Sequence, residues 1–299
     1  MEINAAICLD IDRDAPFPIS GISHGVCLPY HELSPENWKD PRNFTIKGTV
    51  IGLKRLISIF ENIKLPFNCF IEGSIIEKLF KEYPEFIDIK ENFKCDLGLH
   101  GLYHEDISGE QTGISFSRKD EEKILTQAVN TFENLFEFTP IGYRAPYLKI
   151  SQNTHDILSE KKILYDSSEI VTTDLIPQIK FNKIAKIPIP RYKINSKPFI
   201  SYFWTLFEGI RSLNNLLSIY TEIIENSKNL VKNTNSNEPY ILTLNLHPWH
   251  IAYSVREKRY TSARRIDSNI NSIMKILKAL NNIDKVSFVQ ISDIVSSYL

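Results

Sequence analysis

The sequence predicts an α/β fold built around a mostly parallel, buried sheet. Short apolar runs of strand length recur along the whole chain, and segments with apolar residues at helical spacing lie between them. The 299 residues, of which 42% are hydrophobic, provide enough apolar material for one large domain. We find no internal repeat and no low-complexity linker, so the simplest organisation is a single domain over residues 1–299.

The first half of the chain alternates between predicted strands and helices. Apolar residues between Val50 and Phe60 recur at the spacing of one helical face, and Pro66 then separates that helix from the next strand. The predicted elements are strand Ala5–Ile11, helix Thr49–Asn62, strand Phe67–Ile71, helix Ser74–Glu82, strand Cys95–Leu99 and helix Lys119–Phe136. Residues 15–44 contain several prolines and little periodicity, so we expect a long loop there.

The second half continues the same alternation. The predicted elements are a strand end at Gly142–Pro146, helix Asn153–Glu160, strands Ile163–Tyr165 and Ile184–Ile189, helix Leu213–Val231, strand Tyr240–Leu246, helix Ser268–Leu280 and strand Val286–Ile291. Residues 195–237 form a second insertion, with a polar loop at Asn233–Asn237. Its apolar stretch Pro198–Ile210 contains Glu208 and is too short to span a bilayer. It is therefore a core element, a subunit contact or a lid.

The net charge, the N-terminal residues and the cysteines indicate which partners and which compartment to expect. With 35 basic and 36 acidic residues the net charge is -1, which indicates neither nucleic acid nor an anionic membrane as a partner. The first residues lack the features of a signal peptide, so a cytoplasmic location is expected. The four cysteines form no C-x-x-C pair, which favours reduced thiols. The sequence is compatible with a homo-oligomer as well as with a monomer.

Three polar clusters follow predicted strands, where barrel enzymes place catalytic groups. Asp10 and Asp12 end the first strand, and residues two apart on a strand point to the same side. His100 and His104 follow the third strand at a spacing that one helical turn would bring together. His247 ends the strand Tyr240–Leu246. We expect the three clusters to meet.

This combination of side chains is typical of a catalytic metal site. One carboxylate and two imidazoles leave open positions on a divalent ion, and the second carboxylate is then available as a general base. No glutamate follows His100 as the metalloprotease H-E-x-x-H helix requires, so Asp10 is the available base. Each cluster alone also fits a simpler explanation: surface or capping histidines, a loop cap, or a histidine that caps a strand. Their joint placement favours the metal site.

These motifs resemble those of the polysaccharide deacetylases, the metal-dependent carbohydrate esterases of the NodB homology type, over roughly residues 5 to 293. Cys8-Leu-Asp-Ile-Asp12 resembles the D-x-D variant of the paired-aspartate motif, and Leu99-His-Gly-Leu-Tyr-His104 resembles the metal-binding histidine motif. Gly142-Tyr-Arg-Ala-Pro-Tyr147 is similar to the R-x-P-Y motif, and Leu244-Asn-Leu-His-Pro-Trp249 to the final histidine motif. The resemblance implies a distorted (β/α) barrel of about seven parallel strands.

The resemblance also implies roles for individual residues. Asp10 would be the general base, and His247 the general acid. The expected metal ligands are Asp12, His100 and His104. The remaining expected site residues are Arg144, which would orient Asp10; Tyr147, whose backbone would help to hold an oxyanion; Asp166 or Asp174, which would support His247; and Trp249, a substrate platform or a core residue. Arg144 also fits a structural salt bridge.

The implied reaction is hydrolysis of an N-acetyl or N-formyl amide of an amino sugar, by a metal-activated water with Asp10 as base and His247 as acid. The cofactor would be one divalent ion, Zn²⁺ first, with Co²⁺, Ni²⁺ or Fe²⁺ as alternatives. The substrate would be free, nucleotide-linked or lipid-linked. Two other functions remain: a non-sugar amide hydrolase of the allantoinase or imidase type, and an inactive glycan-binding relative.

Overall fold

The computed structural model describes residues 2–18, 27–29, 44–194, 197–231 and 239–298. Most of the predicted loop 15–44 and the predicted polar loop at 233–237 lie outside these residues. At the described ends of the first loop, Pro16–Pro18 and Cys27–Pro29 pair as short antiparallel strands.

Strands and helices alternate along the described chain, as the hydrophobic pattern predicts. The strands are β1 (Ile3–Ile11), β2 (Pro16–Pro18), β3 (Cys27–Pro29), β4 (Phe67–Ile71), β5 (Cys95–Leu99), β6 (Gly142–Tyr143), β7 (Tyr165–Asp166), β8 (Ile170–Thr173), β9 (Lys180–Phe181), β10 (Ala185–Lys186), β11 (Ile189–Ile194), β12 (Lys197–Ile200), β13 (Tyr240–Leu246), β14 (Tyr253–Ser254), β15 (Arg259–Tyr260) and β16 (Val286–Phe288). The helices are α1 (Lys47–Ile63), α2 (Ile76–Glu82), α3 (Ile89–Asn92), α4 (Arg118–Phe136), α5 (Thr154–Glu160), α6 (Trp204–Phe207), α7 (Leu213–Val231), α8 (Pro248–Ala252), α9 (Ala263–Asn281) and α10 (Ile291–Ser296).

A curled, mainly parallel sheet forms the centre of the fold. Its strands follow the order β13, β1, β4, β5, β6, β7, β10 and β9, and β16 pairs with the start of β1. Only β9 is antiparallel to its neighbour in this order. An antiparallel bridge between Gln178 and Tyr240 connects the chain before β9 to β13, so the sheet curls back on itself. The predicted α/β barrel class is confirmed.

The central strand β1 explains why the catalytic motifs meet. It pairs in parallel with β13 on one edge and with β4 and β16 on the other, and its residues from Ala5 onward are buried. Because β1, β5, β6 and β13 run in the same direction, the polar residues after them meet at one end of the barrel.

Helix α1 covers the sheet with the apolar face predicted from its spacing. Leu53, Leu56 and Phe60 are buried, whereas Lys54 and Ser58 are exposed. The Asp14 carboxylate accepts hydrogen bonds from the Gly48 and Thr49 backbone N–H groups, which stabilises the start of the helix. Asp14, two residues after Asp12, is thereby fixed to the first turn of α1.

Four segments differ from the sequence-based expectation. The predicted strand Val286–Ile291 ends at Phe288, and Ile291 instead starts α10. The predicted strand at 184–189 divides into β10 and β11. Strand β8 was not predicted, because its four residues, Ile-Val-Thr-Thr, are too few to show a period and none is fully buried. Residues 101–104 form no helical turn, so the expected helical placement of the two histidines is wrong.

The apolar stretch 198–210 belongs to the core and to the cavity wall. Phe199, Phe203 and Phe207 are buried, and Trp204 is exposed. A search of the described helices for one long and apolar enough to cross a bilayer finds none.

Replacing Gly52 in α1 with alanine should destabilise the protein, because the added Cβ would lie 1.9 Å from the Pro248 carbonyl oxygen of α8. The obstruction is backbone, which cannot rotate away, so we expect a loss of at least about 1–3 kcal/mol in the free energy of unfolding. Urea denaturation of Gly52→Ala measures this. Ser58→Ala, on the exposed face of the same helix, is the matched control and should unfold like the unaltered protein. Equal stability of the two variants would contradict the α1–α8 packing.

Candidate active site

A cavity of about 330 Å³ opens at the carboxyl end of the barrel strands. Of the residues predicted from sequence, it is lined by Asp10, His100, His104, Tyr147, His247 and Trp249. Asp12 and Arg144 lie beside these groups and are fully buried. The clusters at the ends of β1, β5, β6 and β13 therefore meet, as expected.

Asp12, His100 and His104 form a group suited to a metal ion. One possible ligand atom from each residue lies within 4.8 Å of the other two, and Asp12 Oδ2 is 3.3 Å from His104 Nε2. Asp12 is 0% exposed, and neither carboxylate oxygen has a hydrogen-bond partner among the described residues. Burial therefore raises its pKa well above the usual value. A buried carboxylate without partners is costly, and a divalent cation would remove that cost. The residues fit such an ion.

Both histidines are held so that Nε2 faces the site. His100 Nδ1 lies 2.8 Å from the Arg144 carbonyl oxygen, which can only accept, so Nδ1 carries the hydrogen. His104 Nδ1 lies 3.1 Å from the Tyr147 hydroxyl, which also reaches the His104 carbonyl oxygen at 3.4 Å. Burial lowers the pKa of both imidazoles to about 4. They are therefore neutral near pH 7, as metal ligation requires.

A tight loop, rather than a helical turn, places His104 opposite Asp12. Gly101 and His104 both have positive φ, at 70° and 58°. The Glu105 carboxylate accepts hydrogen bonds from the Leu102 and Tyr103 N–H groups and lies where a Cβ on residue 101 would be. Glycine is therefore required at 101. Sequence spacing alone could not distinguish this loop from a helix.

Asp10 is held as an ionised carboxylate by two donors. Arg144 Nη1 donates to Asp10 Oδ1 at 2.7 Å, and the Tyr202 hydroxyl donates to Oδ2 at 2.7 Å. Burial pushes the pKa of Asp10 upward, but Arg144 and the other neighbours outweigh it, so the net pKa is lowered. Arg144 is fixed in turn by the carbonyl and hydroxyl oxygens of Ser167. Arg144 is thus the expected partner of Asp10.

His247 lies across the site from the histidine pair. Its Nε2 is 3.7 Å from Asp10 Oδ2 and 3.9 Å from Asp12 Oδ2. Its ring stacks on Tyr202 with centroids 5.5 Å apart. Burial lowers its pKa. The imidazole is therefore close to both carboxylates and partly open to the cavity.

The expected acidic support for His247 is not where the sequence placed it. Asp166 pairs with His155 Nε2 at 3.0 Å and accepts a hydrogen bond from Ser168, whose oxygen in turn accepts from the Ala145 N–H. Asp174 is exposed. Asp166 therefore stabilises the loop that carries Arg144, and neither aspartate contacts His247. The sequence does not show which residue Asp166 contacts, because that contact depends on how the surrounding elements pack.

Two functional features were missed in the apolar stretch 198–210. Tyr202 gave no signal, because its hydroxyl contacts Asp10 only through the tertiary fold. Glu208 gave one, since a charge inside an apolar run requires a partner. Its carboxylate accepts hydrogen bonds from His250 Nε2, Ser254 and the Val255 N–H at 2.7–2.8 Å.

The two predicted substrate-binding residues contribute in different ways. Trp249 is 6% exposed and stacks on His250 with centroids 4.6 Å apart, so most of its ring is a packed part of the cavity wall. Tyr147 lies in a turn at Pro146–Leu148 with φ of 59°, a strained conformation for a side chain other than glycine. Its hydroxyl orients His104.

Two curated proteins that are similar in sequence are named as a deacetylase and a deacetylase-like protein. No family model matches the chain. The peptidoglycan deacetylase of Helicobacter pylori is 28% identical over 127 residues, and a peptidoglycan deacetylase-like protein of Gibberella zeae is 28% identical over 120 residues. These alignments cover 42% and 40% of the chain, but only 40% and 32% of those proteins.

Solved structures match over nearly the whole chain. A probable polysaccharide deacetylase from Pseudomonas aeruginosa PAO1 superimposes with a TM-score of 0.65 at 16% identity, covering 99% of this chain and 90% of that one. This chain has the polysaccharide deacetylase fold. The resemblance found in the motifs is thereby confirmed. Puue allantoinase matches with a TM-score of 0.64 at 14% identity and the same coverage, so the deacetylase fold alone does not decide the reaction.

Asp12→Asn should abolish stoichiometric zinc binding, because it removes the one anionic ligand of the group. Zinc should raise the melting temperature of the unaltered deacetylase-fold protein, since a ligand that binds only the folded state stabilises it. It should leave that of Asp12→Asn unchanged. Metal analysis after dialysis and thermal melting measure the two effects. Asp10→Asn, which alters the neighbouring carboxylate, should keep its zinc; the reverse pattern would mean that the two aspartates exchange roles.

Replacing Glu208 with glutamine should make the free energy of unfolding fall less steeply as the pH is lowered. Partial burial opposes ionisation, but hydrogen bonds from His250 and its neighbours lower the pKa of Glu208 from 4.5 to about 2. A lowered folded-state pKa stabilises the protein above pH 4.5, and the stabilisation is lost as pH falls from 4.5 towards 2.

Urea unfolding at pH 6 and pH 3 tests this. The unaltered protein should lose more stability than Glu208→Gln between the two pH values. Glu257→Gln removes a fully exposed glutamate paired with Arg259 and Arg265, and should behave like the unaltered protein. The same acid dependence in Glu208→Gln and in the unaltered protein would exclude this role for Glu208.

Proposed function

We propose that this protein is a metal-dependent hydrolase that removes an N-acetyl or N-formyl group from an amino sugar in a glycan or glycan precursor. One observation carries the proposal. The carboxylate of Asp12 is fully buried, has no hydrogen-bond partner in the described part of the chain, and lies close to two neutral histidines, beside an ionised Asp10 and a cavity-facing His247. This set has what metal-assisted amide hydrolysis needs: a place for an ion, a base and an acid.

Asp12, His100 and His104 would hold the ion, through one carboxylate oxygen and the two Nε2 atoms. When bound, a divalent metal lowers the pKa of a water molecule and polarises a carbonyl oxygen. Zinc suits two imidazoles and a carboxylate, and cobalt, nickel or iron(II) would also fit.

Asp10 would act as the general base. Both of its oxygens already accept a hydrogen bond, from Arg144 and Tyr202, so the carboxylate is oriented and stays charged. It accepts the proton of the attacking water. Arg144 remains charged throughout, because burial opposes its charge but the neighbouring Asp10 carboxylate outweighs it and raises the pKa of the guanidinium.

His247 would act as the general acid. Its Nε2 lies 3.7 Å from Asp10, so both proton-transfer groups face the same part of the cavity. As an imidazolium it donates a proton to the nitrogen that leaves as the free amine. The backbone at Tyr147, on the cavity wall, would donate to the oxygen of the tetrahedral intermediate.

The two other functions are less well supported. The allantoinase-type alternative shares the fold, but that branch tends to lose a metal ligand, whereas Asp12, His100 and His104 are all present here. An inactive glycan-binding relative would have no need of an ionised Asp10 held by two donors. The carrier of the sugar, the compartment, the single-domain organisation and the oligomeric state stay predictions.

Asp10→Asn should reduce acetate or formate release by at least about a hundredfold, because the base is lost. The assay is acid release from a panel of free, nucleotide-linked and lipid-linked N-acyl amino sugars. Metal analysis of the same samples should show unchanged zinc content, which separates loss of the base from loss of the ion. Full activity in Asp10→Asn, or activity on allantoin but on no sugar in the panel, would contradict the proposed function.

A further inference from the structure

Trp204, at the start of α6, is the most exposed aromatic side chain of the cavity wall within the described residues. It is 37% exposed, whereas Trp249 and Tyr202, in the same wall, are 6% and 5% exposed. One exposed tryptophan on a protein surface needs no explanation. This one lines the same cavity as Asp10 and His247, so a ligand that fills the cavity can contact its ring.

The backbone before Trp204 is fixed to the strand that ends at His247. The Asn245 N–H donates to the Ser201 carbonyl oxygen at 3.0 Å, and the Phe203 N–H donates to the Asn245 carbonyl oxygen at 3.0 Å. The Ser201 hydroxyl also donates to the Thr243 carbonyl oxygen. Buried Phe203 and Phe207 anchor the segment on the core side. Trp204 is therefore held at a constant position relative to the acid histidine.

Trp204 and Trp249 differ in whether another aromatic ring stacks on them. His250 stacks on Trp249 at an interplanar angle of 13°, so one face of that indole is already used. No aromatic side chain of the described chain stacks on Trp204. An indole that is 37% exposed and lines the cavity offers a surface for an apolar ligand face.

The charge of the cavity limits what that ligand can be. Among the described residues that line it, Asp10 is the only carboxylate and neither lysine nor arginine is present. A phosphate inside the cavity would therefore meet a carboxylate and no lysine or arginine, and the imidazoles of the histidines are the only basic groups among these residues. The volume of about 330 Å³ is at the small end of the range for ligand pockets.

We infer that Trp204 is the platform on which a sugar ring binds in this cavity. The apolar face of one uncharged N-acylated sugar ring stacks on its indole, and any phosphate lies outside the cavity. This rests on the proposed function for the identity of the ligand. It assigns Trp204, rather than Trp249, as the residue that selects a sugar ring. A pyranose ring has a face of C–H groups that packs on an indole, while its hydroxyls point to the rim.

The test is calorimetric binding of the N-acetylglucosamine disaccharide to purified protein carrying Asp10→Asn, so that no turnover intervenes. Adding Trp204→Ala should weaken binding about tenfold, which corresponds to about 1.4 kcal/mol. Trp204→Phe keeps an aromatic face and should stay within about threefold. Ile210→Ala is the matched control, because Ile210 is also exposed in this segment but does not line the cavity; it should bind like the parent.

Three results in these binding measurements would overturn the proposal that Trp204 is the platform. They are unchanged affinity in Trp204→Ala, equal weakening in Trp204→Ala and Ile210→Ala, and a nucleotide diphosphate ester of the same sugar binding far more tightly than the neutral disaccharide. Absence of any binding by the parent would also overturn it. In protein with Asp10 intact, Trp204→Ala should raise KM and leave kcat within about twofold, which a general loss of structure would not do.

The two proposals fail separately. A parent that binds the disaccharide through Trp204, while the intact protein releases no acetate or formate from any sugar of the panel, keeps the platform and excludes the hydrolase. A protein that hydrolyses nucleotide-linked sugars with Trp204→Ala fully active keeps the hydrolase and excludes the platform.

Discussion

Two carboxylates two residues apart at the buried end of β1 determine the chemistry around them. Asp10 and Asp12 point to the same side of the strand, away from solvent, and their charges must be compensated there. They are treated differently. Asp10 accepts hydrogen bonds from Arg144 and Tyr202, which keep it ionised, whereas burial and the neighbouring carboxylates raise the pKa of Asp12. The Asp10 carboxylate is hydrogen-bonded by protein side chains and the Asp12 carboxylate is not, and this asymmetry supports the proposed roles of base and metal ligand.

A second layer of polar residues maintains this asymmetry. Ser167 fixes the Arg144 guanidinium, and Asp166 acts through Ser168 on the backbone next to it. Glu208 stabilises the His250 ring that supports Trp249. These groups do not line the cavity, yet each restricts the rotation of a residue in its wall or directly behind it. Among the described residues, Asp12 is the buried carboxylate of the site that accepts no hydrogen bond on either oxygen.

The shared fold of a polysaccharide deacetylase and an allantoinase shows how little the barrel itself specifies. The strand ends position the reactive groups, and the added segments define the ligand. In this chain the stretch 198–210 contributes Tyr202 to the base and Trp204 to the cavity mouth. One insertion therefore supports both the proposed catalytic residue and the proposed selection of a sugar ring.

The sequence by itself determined the α/β class, the strand ends and the set of reactive side chains. Strand length, helical periodicity and motif order are local properties, so Phe67–Ile71, Cys95–Leu99 and Leu213–Val231 are predicted with their observed bounds. The tertiary structure alone decided which groups touch. The Tyr202–Asp10 contact spans 192 residues, Glu208 and His250 meet across two elements, and Asp166 turns to His155 instead of His247. Such pairings depend on packing geometry, which no local pattern encodes.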